Sequence, residues 1–265
     1  MKIWTVANQK GGVGKTTTAV SLGGLLTQWG LRTLLIDIDP HGSLTSYFKY
    51  DPDAIEESVY TLFEAVMNKQ VADPSALIYA TGTDGLDLMP AAMRLAVLDR
   101  QAGKLDGMGL VIKNALLKLE SHYDYVIIDC PPILGVLMVN ALAACEHLII
   151  PVQTEFLALK GLERMLHTLQ MVLKSRQISL PYTIVPTMYD MRTRASQDSL
   201  RVLRETYREH LWGSLIPIDT RLREASRVGI PPAVFDPKGR AIIAYSKLVE
   251  YLMHGADPVV SGVAV

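Results

Sequence analysis

The stretch Val6-Ala-Asn-Gln-Lys-Gly-Gly-Val-Gly-Lys-Thr-Thr17 constrains this chain more than any other. A short apolar, β-branched run precedes it and a run of helical spacing follows, so the backbone must turn sharply between a strand and a helix. Gly11, Gly12 and Gly14 lack a Cβ, which lets the loop take positive φ and aim its N–H groups inward at an anion. A helix beginning at Thr16 points its positive end at the same place, and Lys15 adds a mobile cation. The group that fits is a nucleotide phosphate. Thr16 also offers a hydroxyl to Mg²⁺, an ion that prefers hard oxygen ligands. The pattern G-x-x-x-x-G-K-[ST] is broken at its first position by Gln9, and Lys10 is a second cation that the pattern does not require.

Strand-like and helix-like segments alternate along the chain. Residues 3–7 and 33–38 are apolar runs of the kind that form buried parallel strands. Between them Leu22, Leu25, Leu26 and Trp29 recur at helical spacing, with Gly30 where a C-cap belongs, which makes a βαβ unit. Further strands are predicted at 86–89, 125–129, 147–152, 182–187 and 214–216, with helices in most of the gaps. The fold class is therefore α/β: a single-domain P-loop NTPase with a mostly parallel twisted sheet and helices on both faces. At 265 residues and 49% hydrophobic content, the chain can fill one large core. Residues 51–74, with prolines, acids and only a short apolar stretch, read as a surface insertion.

Two strands end in acids. In Leu34-Leu-Ile-Asp-Ile-Asp-Pro40, alternation puts Asp37 and Asp39 on one face at the carboxyl end, where open α/β sheets bind ligands. Tyr125-Val-Ile-Ile-Asp-Cys-Pro-Pro132 repeats the form and ends in Asp129. An acid so placed beside a triphosphate can hold Mg²⁺ through water, and another can orient or deprotonate an attacking water.

The net charge of -1 gives the whole chain no pull on polyanions, but its distribution is uneven. Residues 1–159 carry 11 Lys/Arg against 17 Asp/Glu, whereas residues 160–240 carry 14 against 8, which points to an anionic partner for the second half. Cys130 and Cys145 are too few for a disulfide scaffold and lack zinc spacing, so a cytoplasmic location is expected. No apolar run approaches the roughly 20 residues that a membrane span needs.

Lys10-Gly-Gly-Val-Gly-Lys-Thr-Thr17, Asp37-Ile-Asp-Pro40 with Gly42, and Ile127-Ile-Asp-Cys-Pro-Pro132 resemble the three nucleotide motifs of the ParA/MinD family of deviant-Walker ATPases. The similarity runs from Met1 to about Leu252 and includes Thr187-Met-Tyr-Asp-Met-Arg-Thr193, Arg221-Leu-Arg-Glu-Ala225 and Tyr245. The resemblance implies an ATPase domain over residues 1–253, a C-terminal tail over 254–265, and ATP/ADP and Mg²⁺ as cofactors. It also implies a slow switch: two ATP-bound copies form a homodimer, and Lys10 reaches the partner's phosphates. By the same resemblance Gly11, Gly12, Val13, Gly14, Lys15 and Thr17 cradle the phosphates, and Thr16, Asp37 and Asp129 surround the metal. Asp39 positions the attacking water, and Met188, Pro217 and Asp219 belong to the base and ribose segment.

Residues 253–265 contain no Lys or Arg and carry helix-breaking Gly255, Pro258 and Gly262, so a membrane-binding helix is not expected. Arg194, Arg201, Arg204 and Arg208 fall in one stripe of a helix predicted over 194–210. The stripe reads either as a contact to DNA phosphates without base readout or as a solvated face paired with Asp198, Glu205 and Glu209. Arg192, Arg221 and Arg223 sit in segments resembling the family's DNA-contacting region, which favours DNA. Pro217-Ile-Asp-Thr-Arg-Leu222, where chromosomal relatives carry a more basic run, and His41 after Asp39-Pro40 resemble the ParA-like proteins of chemotaxis clusters. That likeness implies positioning of receptor arrays, with a polar or nucleoid location and a partner encoded nearby, either an array adaptor or a ParB-like stimulator. Chromosome or plasmid segregation is the alternative, and an ATP-dependent synthetase or amidotransferase on the same fold is the alternative of another class. His41 by itself reads as a loop residue.

Overall fold

The computed structural model describes residues 1–101, 108–176 and 180–255. Strands β1 (Lys2–Val6), β2 (Thr33–Asp37), β3 (Tyr79–Thr83), β4 (Leu86–Met89), β5 (Tyr125–Asp129), β6 (His147–Gln153) and β7 (Tyr182–Thr187) share one sheet in the order β3-β4-β2-β5-β1-β6-β7. All neighbours run parallel except the edge pair β3 and β4. Alternation along the strands divides the core in two. Leu34, Ile36, Val126, Ile128, Leu148 and Ile150 face one apolar layer, and Trp4, Val6, Leu35, Ile127 and Ile149 face the other.

The first layer is covered by α3 (Val59–Met67), α4 (Leu95–Gln101), α5 (Val111–Leu117), α6 (Val136–Ala144) and α7 (Phe156–Arg176). The second is covered by α1 (Lys15–Gln28), the short α2 (Ser43–Tyr47) and α10 (Pro232–Phe235), and α11 (Arg240–His254). Two more helices, α8 (Arg194–Thr206) and α9 (Arg221–Val228), lie beyond β7 in the chain. Helices on both faces are why the central strands are buried at every position and largely apolar, and the α/β architecture expected from that pattern is the one observed.

Four expectations need correction. Residues 51–74 are not merely a surface insertion: Ser58 caps α3, accepting from the Tyr60 amide at 3.3 Å, and Phe63 is fully buried in the first layer. Residues 214–216 form no strand. The Ile216 amide donates to Pro186 O at 2.8 Å, Ile216 O accepts from the Tyr189 amide at 3.1 Å and the Ile218 amide donates to Tyr189 O at 3.0 Å, so the chain meets the end of β7 only through an isolated parallel bridge at Pro217. Helix α1 starts at Lys15, with Trp29 40% exposed as its C-cap and Gly30 at φ 78 just after it. Helix α8 stops at Thr206 rather than at 210, because the chain turns to deliver residues 210–212 to β7. There the Ile184 amide donates to His210 O at 2.7 Å and the Trp212 amide donates to Ile184 O at 2.9 Å. Helix α11 ends one residue past the expected domain boundary, and residues 256–265 of the expected tail lie outside the described residues.

Strand β1 lies between β5 and β6, yet the chain leaves it through α1 for β2 on the far side of β5. The later connection from β5 to β6 passes over β1 the other way. Connections that diverge on either side of a strand open a crevice at its carboxyl end. The glycine-rich loop occupies that crevice.

Candidate nucleotide site

Gly12 at φ 74 and Gly14 at φ 90 take the left-handed conformation that a side chain disfavours, and Gly14 is the N-cap of α1 with no side-chain cap. The first amides of α1 are thereby left to a ligand. The loop is pinned from outside. Asn8 donates through Nδ2 to Pro151 O at 2.7 Å and accepts the Lys10 amide at 3.0 Å, and the Thr187 hydroxyl donates to Val13 O at 2.9 Å. Lys15 is 9% exposed, with Nζ 3.5 Å from Lys10 O. The Lys10 side chain turns away and pairs its ammonium with Glu155, immediately before α7.

A cleft of about 500 Å³ opens over the loop, lined by Gly11, Gly12, Lys15, Thr16, Asp39 and His41 among others. A second cavity of about 320 Å³, lined by Pro217, Ile218, Asp219, Leu222 and Tyr245, shares Gly14, Thr17, Met188 and Ser226 with the first. The two make one groove with a polar end at the loop and a more apolar end beyond Met188, a size and polarity suited to a nucleotide. Met188 takes φ 53 at the junction, a strained value for a residue with a side chain. A cleft of about 570 Å³ between α7 and the end of α8 is larger but holds none of the motif residues.

The three acids differ in what they touch. Asp129 is buried; its Oδ2 accepts from the Thr16 hydroxyl at 2.6 Å, and its Oδ1 is buried with no hydrogen-bond partner. Burial first, then the charge of Asp37, holds its carboxyl well above the usual carboxylate range. An orphaned carboxylate oxygen beside a threonine hydroxyl at the foot of the phosphate loop is chemistry that fits a divalent cation. Asp37, its neighbour across the β2–β5 ladder, is raised by burial too, but its oxygens are engaged. Oδ2 accepts from the Thr45 amide and hydroxyl, both at 2.8 Å, and Oδ1 accepts from the Asp39 amide at 3.1 Å. Neither Asp37 nor Asp129 lines the groove directly; the two differ in that both oxygens of Asp37 brace the turn after β2, where a metal-facing position was expected, while Oδ1 of Asp129 has no partner. Asp39 does line the cleft, with a side chain 13% exposed.

A family model for an AAA domain matches residues 1–181. The sporulation initiation inhibitor protein Soj of Bacillus subtilis (strain 168) is 38% identical, covering 94% of this chain and 97% of that protein. The chromosome partitioning protein ParA of Myxococcus xanthus (strain DK1622) is 34% identical over 97% of this chain and 89% of its own length. The chain belongs to the ParA/MinD family of P-loop ATPases. Among solved structures, cobyrinic acid a,c-diamide synthase from Mycobacterium smegmatis with bound ATP analogue and magnesium superposes with a TM-score of 0.79. It is 37% identical to this chain, covering 96% of it and 94% of the solved chain.

The candidate arginines, four from the helical stripe and three from the segments of family resemblance, are not equivalent. Arg192 grips Asp190 through Nε at 2.9 Å and Nη2 at 2.8 Å. Arg201 sits 3.5 Å from both Asp198 and Glu205. Arg221 bonds Glu224 at 2.8 Å and Asp236 at 3.1 Å, with its guanidinium 4.9 Å from the Phe235 ring centre. Arg194, Arg204, Arg208 and Arg223 have no ion pair among the described residues. Arg223 lines the apolar end of the groove, and Arg208 lies beyond the end of α8, off the helical stripe expected for it. Cys130 and Cys145 pack with the core, and burial pushes both thiols up, that of Cys145 to about 12. Sequence reasoning missed Glu155, Thr45 and Ser226. It also left His41 without a partner, although an acid two residues earlier is a local signal for a side-chain turn.

Proposed function

We propose that this chain is a partitioning ATPase whose Mg²⁺-dependent ATP cycle makes and breaks a homodimer. The observation that carries this reading is the phosphate loop with two lysines in different places: Lys15 buried in the cradle, and Lys10 turned outward onto Glu155. One cation serves the chain's own phosphates, and the other is placed to leave Glu155 for a second copy's nucleotide. The bound ATP analogue and magnesium of the Mycobacterium smegmatis structure support the same ligands here. The amides of Gly11, Gly12, Val13 and Gly14, with Lys15 and Thr17, hold the phosphates. Met188, Pro217 and Asp219 flank base and ribose. Thr16 and Asp129 are the residues that would hold Mg²⁺, which would neutralise charge on the phosphates. Asp37 braces the loop that carries Asp39, and Asp39 orders the attacking water.

ParA, a relative named for chromosome partitioning, supports partitioning over the positioning of chemotaxis arrays. The arginines of α8 and α9 supply the non-specific DNA contact such a cycle needs, and a ParB-like partner would time hydrolysis. The test is the size of the protein by light scattering with ATP and Mg²⁺. Asp39→Ala is expected to accumulate as dimer, and Lys10→Ala to bind nucleotide yet lose dimer-dependent hydrolysis. A monomeric Asp39→Ala or a fully active Lys10→Ala overturns the corresponding role.

A further inference from the structure

The His41 side chain is 81% exposed, as befits a loop residue, but its contacts are specific. After β2 the chain folds back so that the His41 amide and Nδ1 both lie 3.0 Å from Asp39 Oδ1. The Gly42 amide donates to Asp39 O at 2.8 Å and closes the turn. A carboxylate oxygen only accepts, so the imidazole proton in this pair belongs on Nδ1. Two hydrogen bonds therefore occupy Oδ1. Oδ2 has no partner among the described residues, and Asp39 and His41 line the phosphate cleft together.

We infer that His41 is a positioning residue for ATP hydrolysis: it fixes the Asp39 carboxylate by Oδ1 and so leaves Oδ2 to accept from the attacking water. The inference rests on the proposal that Asp39 orders that water. With Oδ1 held by both the His41 amide and Nδ1, the carboxylate keeps one orientation in the cleft and one free oxygen. Tyr47 of α2, also in the cleft wall, does not compete for Oδ2, because its hydroxyl donates to Ile230 O at 2.9 Å.

The experiment is ATP hydrolysis by the full chain with Mg²⁺ for wild type, His41→Gln, His41→Ala and Asp39→Asn. His41→Ala should lower kcat about three- to tenfold while KM for ATP stays within about twofold. His41→Gln can still donate a hydrogen bond and should recover most of that kcat. Wild-type kcat in His41→Ala overturns the inference, as does a loss expressed in KM with kcat intact. Asp39→Asn separates the two claims. Wild-type turnover there removes the role of Asp39 and this inference with it. An inactive Asp39→Asn beside a His41→Ala of wild-type rate removes His41 alone.

Discussion

At the centre of the phosphate site Asp37, Asp129 and Lys15 are buried, whereas on α8 and α9 and in the turns before them the charged side chains stand in solvent. Asp37 is 0% exposed, Asp129 1% and Lys15 9%, while the side chains of Arg192, Arg201 and Arg221 are 80%, 63% and 50% exposed. Burial makes each charge at the first region expensive unless a partner or a ligand meets it. Solvent screens each pair in the second and makes it cheap to break. The loop therefore holds a ligand by fixed geometry, and the arginine face can exchange its own carboxylate partners for phosphates at little cost. Substitutions in the first region should change what the protein binds by orders of magnitude, and those in the second should grade it.

The strongest test of that contrast is Lys15→Ala. It removes the cation from the centre of the cradle and leaves the backbone amides in place, so the fold should persist while ATP affinity falls by at least about 100-fold. Titration with a fluorescent ATP analogue reads this directly. Binding within about threefold of wild type would mean that the amides alone carry the phosphates and that Lys15 is mainly a packing residue.

A smaller effect is expected on the arginine face, and it should depend on which arginines are chosen. Arg204 and Arg208 have no ion pair among the described residues, whereas Arg192 and Arg201 already meet carboxylates. Each phosphate contact contributes about 0.9 to the slope of log affinity against log salt for duplex DNA. Arg204→Ala with Arg208→Ala should lower the slope measured for the ATP-bound protein by about two, if both meet phosphates. Arg192→Ala with Arg201→Ala should lower it by less, since those guanidinium groups must first give up Asp190, Asp198 and Glu205. Equal slopes for the two pairs would erase the distinction between paired and unpaired cations.

The same contrast explains how far the sequence could be read. Val126, Ile127 and Ile128 belong to a strand covered on both faces, and such strands are continuously apolar, so the central sheet was legible. Strand β3 was not, because Tyr79–Thr83 is an antiparallel edge with alternating exposure and a glycine inside it. Gly14, Lys15, Thr16 and Asp129 were legible as candidates because their spacing carries the geometry. Asp37 shows the limit. Its placement at a strand end could be read, but its three hydrogen bonds depend on how Thr45 packs after the turn. The Lys10–Glu155 pair joins positions 145 residues apart, and only the fold brings β1 and β6 side by side. The end of α8 is tertiary too: His210 stacks on Tyr182 with ring centres 4.0 Å apart, and that contact with β7 is made as the chain leaves the helix.

The smallest predicted effect lies where the two regions meet. Lys49 donates through Nζ to Arg227 O at 2.8 Å and to Ser226 O at 3.3 Å, capping the carboxyl end of α9, and Ser226 lines both cavities of the groove. A cation at a helix carboxyl end is worth about 0.3–1 kcal/mol. Lys49 also takes φ 70, a conformation that costs a residue with a Cβ about 1 kcal/mol relative to glycine. Lys49→Ala loses the cap and keeps the strain, so denaturant unfolding should show a loss of about 0.3–1 kcal/mol. Lys49→Gly loses the same cap and relieves the strain, so it should come close to wild-type stability. If Ala and Gly are equally destabilised, the backbone strain contributes nothing and the cap accounts for the whole effect. If neither is destabilised, Lys49 does not tie the arginine-bearing helix to the floor of the groove, and the two regions respond to substitution independently.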